Sequence, residues 1–215
     1  MAGCAGTIRS IASPDLAPIP PDSASAWAAP FQPAIPLQFD LRWRFENREG
    51  RAAGRATARY APPDTLRFDY RGPFGRSGSA LVVGGEAVWS EPEGDMSDLV
   101  PVAPVLWAAL GIILAPTEGS QALGTATPER RAWRYTAGDR AVDYIRIMAS
   151  PPRLLAELRE GNRILGVVEV ELDATAAARP VASEMRFPEQ RSRFSLTVRQ
   201  VDSVAAFPPD TWKRP

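Results

Sequence analysis

The sequence predicts a mainly β protein, an unclosed antiparallel β-barrel of about eleven strands with a short helical lid. Three observations carry this. From Leu37 onward, apolar and polar residues alternate with period two in many short segments. Short turns, not helices, join those segments. One insertion, at residues 99–128, interrupts the series and is uncharged from Leu99 to Ala115.

The strands follow in order. Leu37, Phe39, Leu41, Trp43 and Phe45 alternate with Gln38, Asp40, Arg42 and Arg44, which describes a strand with one dry and one wet face. Asn47 to Gly50 turns the chain, and Arg51 to Tyr60 is a weaker, Ala-rich strand. After the turn Pro62-Pro63-Asp64, Leu66, Phe68 and Tyr70 alternate with Arg67, Asp69 and Arg71. Ser79 to Val83 and Glu86 to Ser90 flank Gly84-Gly85 as a hairpin. Beyond the insertion come 132–135, 141–148, 153–160, 163–172, 181–187 and 193–201, with Gly138-Asp139 and Gly161-Asn162 as tight turns. A serial meander with one dry face curls around a single interior.

Within the insertion, Pro104 can start a helix and Pro116 disfavours continuing it. Pro104 to Leu114 then makes about three turns, apolar around nearly the whole circumference. Two readings stand: a plug that fills the barrel mouth, and a lid over an apolar cavity. An outer face that is also apolar suggests contact with lipid or a partner.

Residues 1–36 read as a separate N-terminal segment ahead of the barrel domain at 37–215. Ala, Pro and Ser dominate from Ala5 to Pro36, without the periodicity that offsets ordering entropy. This reads as an extended tether, with one helical turn near Asp22 to Ala29 and Asp22 as its N-cap. Met1-Ala2-Gly3-Cys4 resembles the small-residue box before the lipidated cysteine of bacterial lipoproteins. The apolar segment of such a signal would be encoded upstream of Met1. Ala5, not Asp, after the cysteine resembles outer-membrane sorting. The alternative is an incidental cysteine in a tail. No stretch has the roughly 20 apolar residues that span a bilayer.

Composition excludes much chemistry. There is no histidine, and Cys4 is the only cysteine. That removes Ser-His-Asp and Cys-His catalysis, the usual zinc, haem and Fe–S ligand sets, and any internal disulfide. No cofactor is expected. With 25 basic and 25 acidic residues the net charge is zero, a poor footprint for nucleic acid. Paired carboxylates remain as an enzymatic candidate: Glu169 with Glu171, and Asp139 with Asp143. The competing reading is a solvated strand face paired with arginines.

The loop Arg71-Gly72-Pro73-Phe74-Gly75-Arg76-Ser77-Gly78 carries one apolar residue at its tip, bracketed by arginines. Either Phe74 folds back on the barrel, or it is a hydrophobic finger with flanking cations for anionic headgroups.

Two segments, FDLRWRFENREGRAAGRATARYAPPDTLRFDYRGPFG and RFSLTVRQVDSVAAFPPDTW, resemble the LolA/LolB-like lipoprotein localisation family, over roughly Leu37 to Trp212. The resemblance implies the unclosed barrel of about eleven strands with a helical lid. It also implies an envelope protein, not an enzyme, that binds acyl chains and helps receive or insert lipoproteins. In the receptor type of that family a protruding loop has an exposed leucine in a Pro-Leu-Gly-like context. Pro73-Phe74-Gly75 matches that place, with Phe74 as the membrane-insertion residue and Cys4 as the lipid anchor. The implied location is the inner leaflet of the outer membrane, facing the periplasm, with a periplasmic carrier protein as a partner. Phe39, Leu41, Trp43, Phe68, Tyr70, Leu81 and Trp89 are the expected cavity wall. Leu106, Trp107, Leu110 and Ile113 are the expected lid. The alternative is a lipid-anchored barrel that binds another hydrophobic ligand or scaffolds an envelope complex.

Overall fold

The computed structural model describes residues 10–12, 15–93, 103–175 and 178–215. Among them, thirteen strands form one antiparallel sheet. They are β1 (Ala17–Pro18), β2 (Leu37–Glu46), β3 (Arg51–Ala61), β4 (Thr65–Arg71), β5 (Ser77–Val83), β6 (Glu86–Glu91), β7 (Gln121–Ala126), β8 (Arg130–Ala137), β9 (Arg140–Ile147), β10 (Arg153–Glu160), β11 (Arg163–Leu172), β12 (Pro180–Phe187) and β13 (Ser192–Ser203). Their spatial order is β1-β7-β8-β9-β10-β11-β12-β13-β2-β3-β4-β5-β6, so two meanders are joined where β13 pairs with β2. The sheet is unclosed, with β6 at one edge and β1 at the other. All eleven expected strands are present. The two added ones, β1 and β7, carry little apolar alternation: β1 is two residues long and β7 reads QALGTA.

The register sorts the strands into two faces. On the inner face Phe39 opposes Ala58, Leu41 opposes Ala56 and Trp43 opposes Gly54. The row continues through Phe68 and Tyr70 on β4 and through Leu196 and Phe194 on β13. Arg42, Arg55, Arg59, Arg67 and Asp69 belong to the outer face by the same register.

Helix α2 (Ala103–Ala109) lies on the inner face against β10, β11 and β12. It is shorter than the expected three turns. Gly111, at φ +70°, ends it, with its N–H donating to the Ala108 carbonyl and that of Ile112 to Trp107. Residues 112–116 then run without helix. Residues 99–102 of the expected insertion lie outside the described residues.

The N-terminal segment departs from the expected tether. Ser10 and Ile11 hydrogen-bond to Glu157 on the outer face, β1 pairs with β7 at the edge, and α1 (Pro21–Ala28) follows. Beyond that edge the segment is on the inner side, where Trp27 packs edge-on to Trp133 and Ala24, Ala28 and Phe31 are buried. The segment thus folds over the β7 edge and covers it. A few large residues, Ile19, Trp27 and Phe31, make these contacts; the Ala, Pro and Ser between them are why the composition resembles a linker. Pro20 is the N-cap of α1; Asp22 sits in the first turn. Cys4 lies outside the described residues.

Candidate functional site: an apolar cavity at the open end of the sheet

The inner hollow divides in two. One half is filled by α2 and Phe31. Every residue from Ala103 to Ile113 is buried except Pro104, which is partly covered. Trp107 donates its indole N–H to the Gly84 carbonyl at 2.7 Å and packs edge-on to Tyr60. The Ile113 N–H donates to the Phe31 carbonyl at 2.9 Å. The all-round apolar helix is therefore covered on all sides by the protein itself. Leu106, Trp107, Leu110 and Ile113 are core residues here, each at most 1% exposed. This is the plug arrangement: the helix has no exposed outer face, because it packs on β10, β11 and β12 and its Trp107 reaches Tyr60 and Gly84.

The other half is a cavity of about 830 Å³, lined by Trp43, Phe45, Phe68, Tyr70, Phe187 and Phe194 together with the loop residues Gly72, Pro73, Gly75 and Arg76. Its size falls in the range of small-molecule sites. Aromatic rings give the wall its shape. Trp43 stacks on Phe194 with centroids 6.2 Å apart and meets Tyr70 edge-on at 6.0 Å. The Trp43 indole N–H is satisfied by the Arg55 carbonyl at 3.2 Å, so the ring presents carbon to the cavity.

Two glycines make room for these rings. A Cβ on Gly54 would stand 1.9 Å from the Arg71 carbonyl oxygen and 2.9 Å from the Trp43 ring. One on Gly78 would stand 2.5 Å from the Tyr70 ring. Strand glycines often mark such close approaches.

The expected wall residues separate. Trp43, Phe68 and Tyr70 line the cavity. Phe39 and Leu41 are on the same face but buried in the core beyond it, and Phe39 borders a smaller pocket beside Leu110 and Ile112. Leu81 and Trp89 are corrected: Leu81 opposes both Arg67 and Trp89, which puts the pair on the outer face. There the Arg67 guanidinium lies 5.3 Å from the Trp89 ring, and the Trp89 indole N–H donates to the Trp212 carbonyl. The run Ala80-Leu81-Val82-Val83 has no alternation, so its phase was not legible; Ala80 and Val82 are the inner pair. Phe45, Phe187 and Phe194 complete the wall; the alternation of Phe45 along its strand marks a face and not a cavity.

Pro73 to Gly75 form a single 3₁₀ turn at the cavity rim. Phe74 belongs to this turn; its side chain lies outside the described features.

The carboxylates face away from the hollow. Glu169 pairs with Arg153 at 2.8 Å. Asp143 and Glu157 are buried on the outer face with Arg134 and Arg159 around them. Burial pushes the Asp143 carboxyl above its ordinary range, against the hydrogen bond and charge of Arg134. Among the described residues no group of three metal-ligating side chains occurs, and no helix is long and apolar enough to cross a membrane.

An open antiparallel sheet around a helix and an apolar hollow is the LolA-like architecture. A LolA superfamily protein from Nitrosomonas europaea superposes with a TM-score of 0.58 at 13% identity, over 90% of this chain and 97% of that one. A DUF1329 family protein from Desulfovibrio piger gives 0.52 at 8% identity, over 89% and 95%. No family model and no curated protein matches the sequence. The chain therefore has the LolA-like fold.

Proposed function

We propose that this protein is an envelope lipoprotein that binds acyl chains in the apolar cavity and helps receive or insert lipoproteins at the outer membrane. The observation that supports this best is the aromatic cavity of about 830 Å³ left open at the Pro73–Gly75 rim. Each methylene moved from water into such a site gains about 0.8 kcal/mol. Affinity is therefore easily reached, and a bilayer offers the chain an equally apolar place on release. Phe74 acts as the membrane-inserting tip, and Cys4 carries the lipid anchor. A periplasmic carrier hands over the cargo. The work is binding, without catalysis. Entry of chains longer than the cavity requires α2 to give way, and in that step Leu106, Trp107, Leu110 and Ile113 act as the lid.

The test has three readouts. A fluorescent fatty acid should bind the purified chain, and Phe45→Arg should abolish binding while leaving the melting temperature nearly unchanged. Depletion in cells should mislocalise outer-membrane lipoproteins, and Phe74→Glu should reproduce this. A palmitate analogue should label the product of the native gene but not Cys4→Ala. Normal lipoprotein location after depletion overturns the delivery role.

A second reading draws on the filled half of the hollow. With α2 and Phe31 inside, the remaining space suits a ligand smaller than a triacylated anchor, and the barrel then serves another hydrophobic ligand or an envelope complex. Fatty-acid binding with unaltered lipoprotein location identifies this case.

A further inference from the structure

The outer face of β2, β3 and β4 carries a second groove, of about 860 Å³, on the opposite side of the sheet from the acyl cavity. Its floor is set by register. Arg42 on β2 opposes Arg55 on β3, and Arg55 opposes Arg71 on β4. Three guanidinium side chains thus stand in one row across three adjacent strands, about 4.8 Å apart from strand to strand. Arg199 joins them from the bulge in β13, where Val198 opposes Leu41 and Gln200 opposes Asp40. All four are exposed.

Like charges directly opposed across strands are destabilising. Elsewhere on this face the sequence avoids that cost by supplying carboxylates. Arg59 and Arg67 share Asp69, Arg44 and Arg51 share Glu46, and Arg214 pairs with Glu91. Among the described residues, Arg42, Arg55, Arg71 and Arg199 have no such partner. The acidic side chains of the groove do not supply one: Asp69 and Glu91 are engaged as above, and Asp40 accepts only the Thr57 hydroxyl, at 3.5 Å. The chain as a whole has zero net charge, so this local excess is not a by-product of general basicity.

Arginine presents a planar fork that matches phosphate oxygens in pairs. A row of three spans about 10 Å, room for more than one phosphoryl group. We infer that this groove binds the phosphoryl groups of an anionic ligand, with Arg42, Arg55 and Arg71 as the forked contacts and Arg199 at the rim. The exposed Ser77 hydroxyl also lines the groove as a further donor. The three arginines stand across the sheet from the acyl cavity, and the two spaces meet only at Tyr70 and Ser77. Phosphoryl groups could reach it on a soluble ligand or on a lipid headgroup, and Arg71 immediately precedes the Gly72–Arg76 loop at that end of the sheet.

The experiment uses the full chain. Inorganic pyrophosphate is titrated calorimetrically, and cosedimentation is measured with phosphatidylcholine vesicles with and without phosphatidylglycerol. Binding of either anionic probe is expected, weakening as salt rises. Arg42→Gln/Arg55→Gln/Arg71→Gln should lower that affinity about tenfold or more, leave fatty-acid binding intact and not lower the melting temperature. The matching triple lysine variant keeps the charge but loses the forks, and should also bind more weakly. Binding of the anionic vesicles alone identifies a headgroup as the source; binding of pyrophosphate identifies a soluble phosphorylated ligand. Phe74→Glu should leave pyrophosphate binding unchanged, so failure of the insertion loop and failure of this site are separable. No binding of either probe, or equal binding by the lysine variant, overturns the inference.

Discussion

At Gly54 a hydrogen in place of a methyl group decides where an indole lies. Gly54→Ala forces the Arg71 carbonyl or the Trp43 ring to move, since the added carbon would stand 1.9 Å and 2.9 Å from them. Overpacking of this kind costs about 1–3 kcal/mol. The expected outcome is a lower melting temperature together with weaker fatty-acid binding, read by thermal denaturation and fluorescence titration. Gly54 was legible only as a weak spot in an Ala-rich strand, because nothing local announces that Trp43 lies across it. The same limit explains Leu81 and Trp89. Side-chain period in a strand is two, so one uncertain residue in an unalternating run reverses the face of every neighbour. Trp43, Phe68 and Tyr70 sit in clean alternation, and their face was read correctly.

At the scale of elements, the N-terminal segment is the main departure. Composition made it a tether, yet Phe31 is fully buried and its carbonyl accepts the Ile113 N–H. Phe31→Ala should destabilise the domain by about 3–5 kcal/mol, measured by urea denaturation; a tether residue would shift it by less than about 0.5 kcal/mol. Helix α2 was legible through its prolines and its uncharged run, but its end was not. Gly111 adopts a left-handed φ, and a Cβ there would meet the Ala178 carbonyl at 2.8 Å. That contact is supplied by a segment far away in sequence. Strand β7, with the pattern QALGTA, forms because β1 and α1 cover it; no periodicity of its own could reveal it.

At the scale of the whole molecule, stability against pH follows from carboxylates on the outer face. Burial of Asp69 favours its neutral form, but hydrogen bonds from Arg67 and Ser79 and the charges of Arg67 and Arg59 outweigh this and hold its carboxyl below 3.8. A lowered folded-state pKa gives stability that is present above the unfolded value and lost as pH falls through the folded one. Asp69→Asn should therefore melt at lower temperature than the parent at pH 7, with the difference closing in strong acid. Asp143 has the opposite sign: its raised carboxyl makes stability decline as pH rises past 3.8 toward the raised value. Arg134→Ala removes its main counter-charge and should cost about 3–5 kcal/mol at pH 7 and less at pH 4, checked by melts at both. The meander, its single interior and its helical insertion were legible because period two and turn residues are local signals. The division of that interior into a filled and an empty half was not, since it depends on how a distant segment folds over an edge.

That folded-over segment shortens the leash. With Ser10 already bonded to Glu157, a lipid on Cys4 would be joined to the globular body through the five residues between them, a reach of roughly 20 Å at most. A body so anchored would not tumble freely: it would roll within a narrow range of attitudes, and only a limited arc of its surface would touch the headgroups.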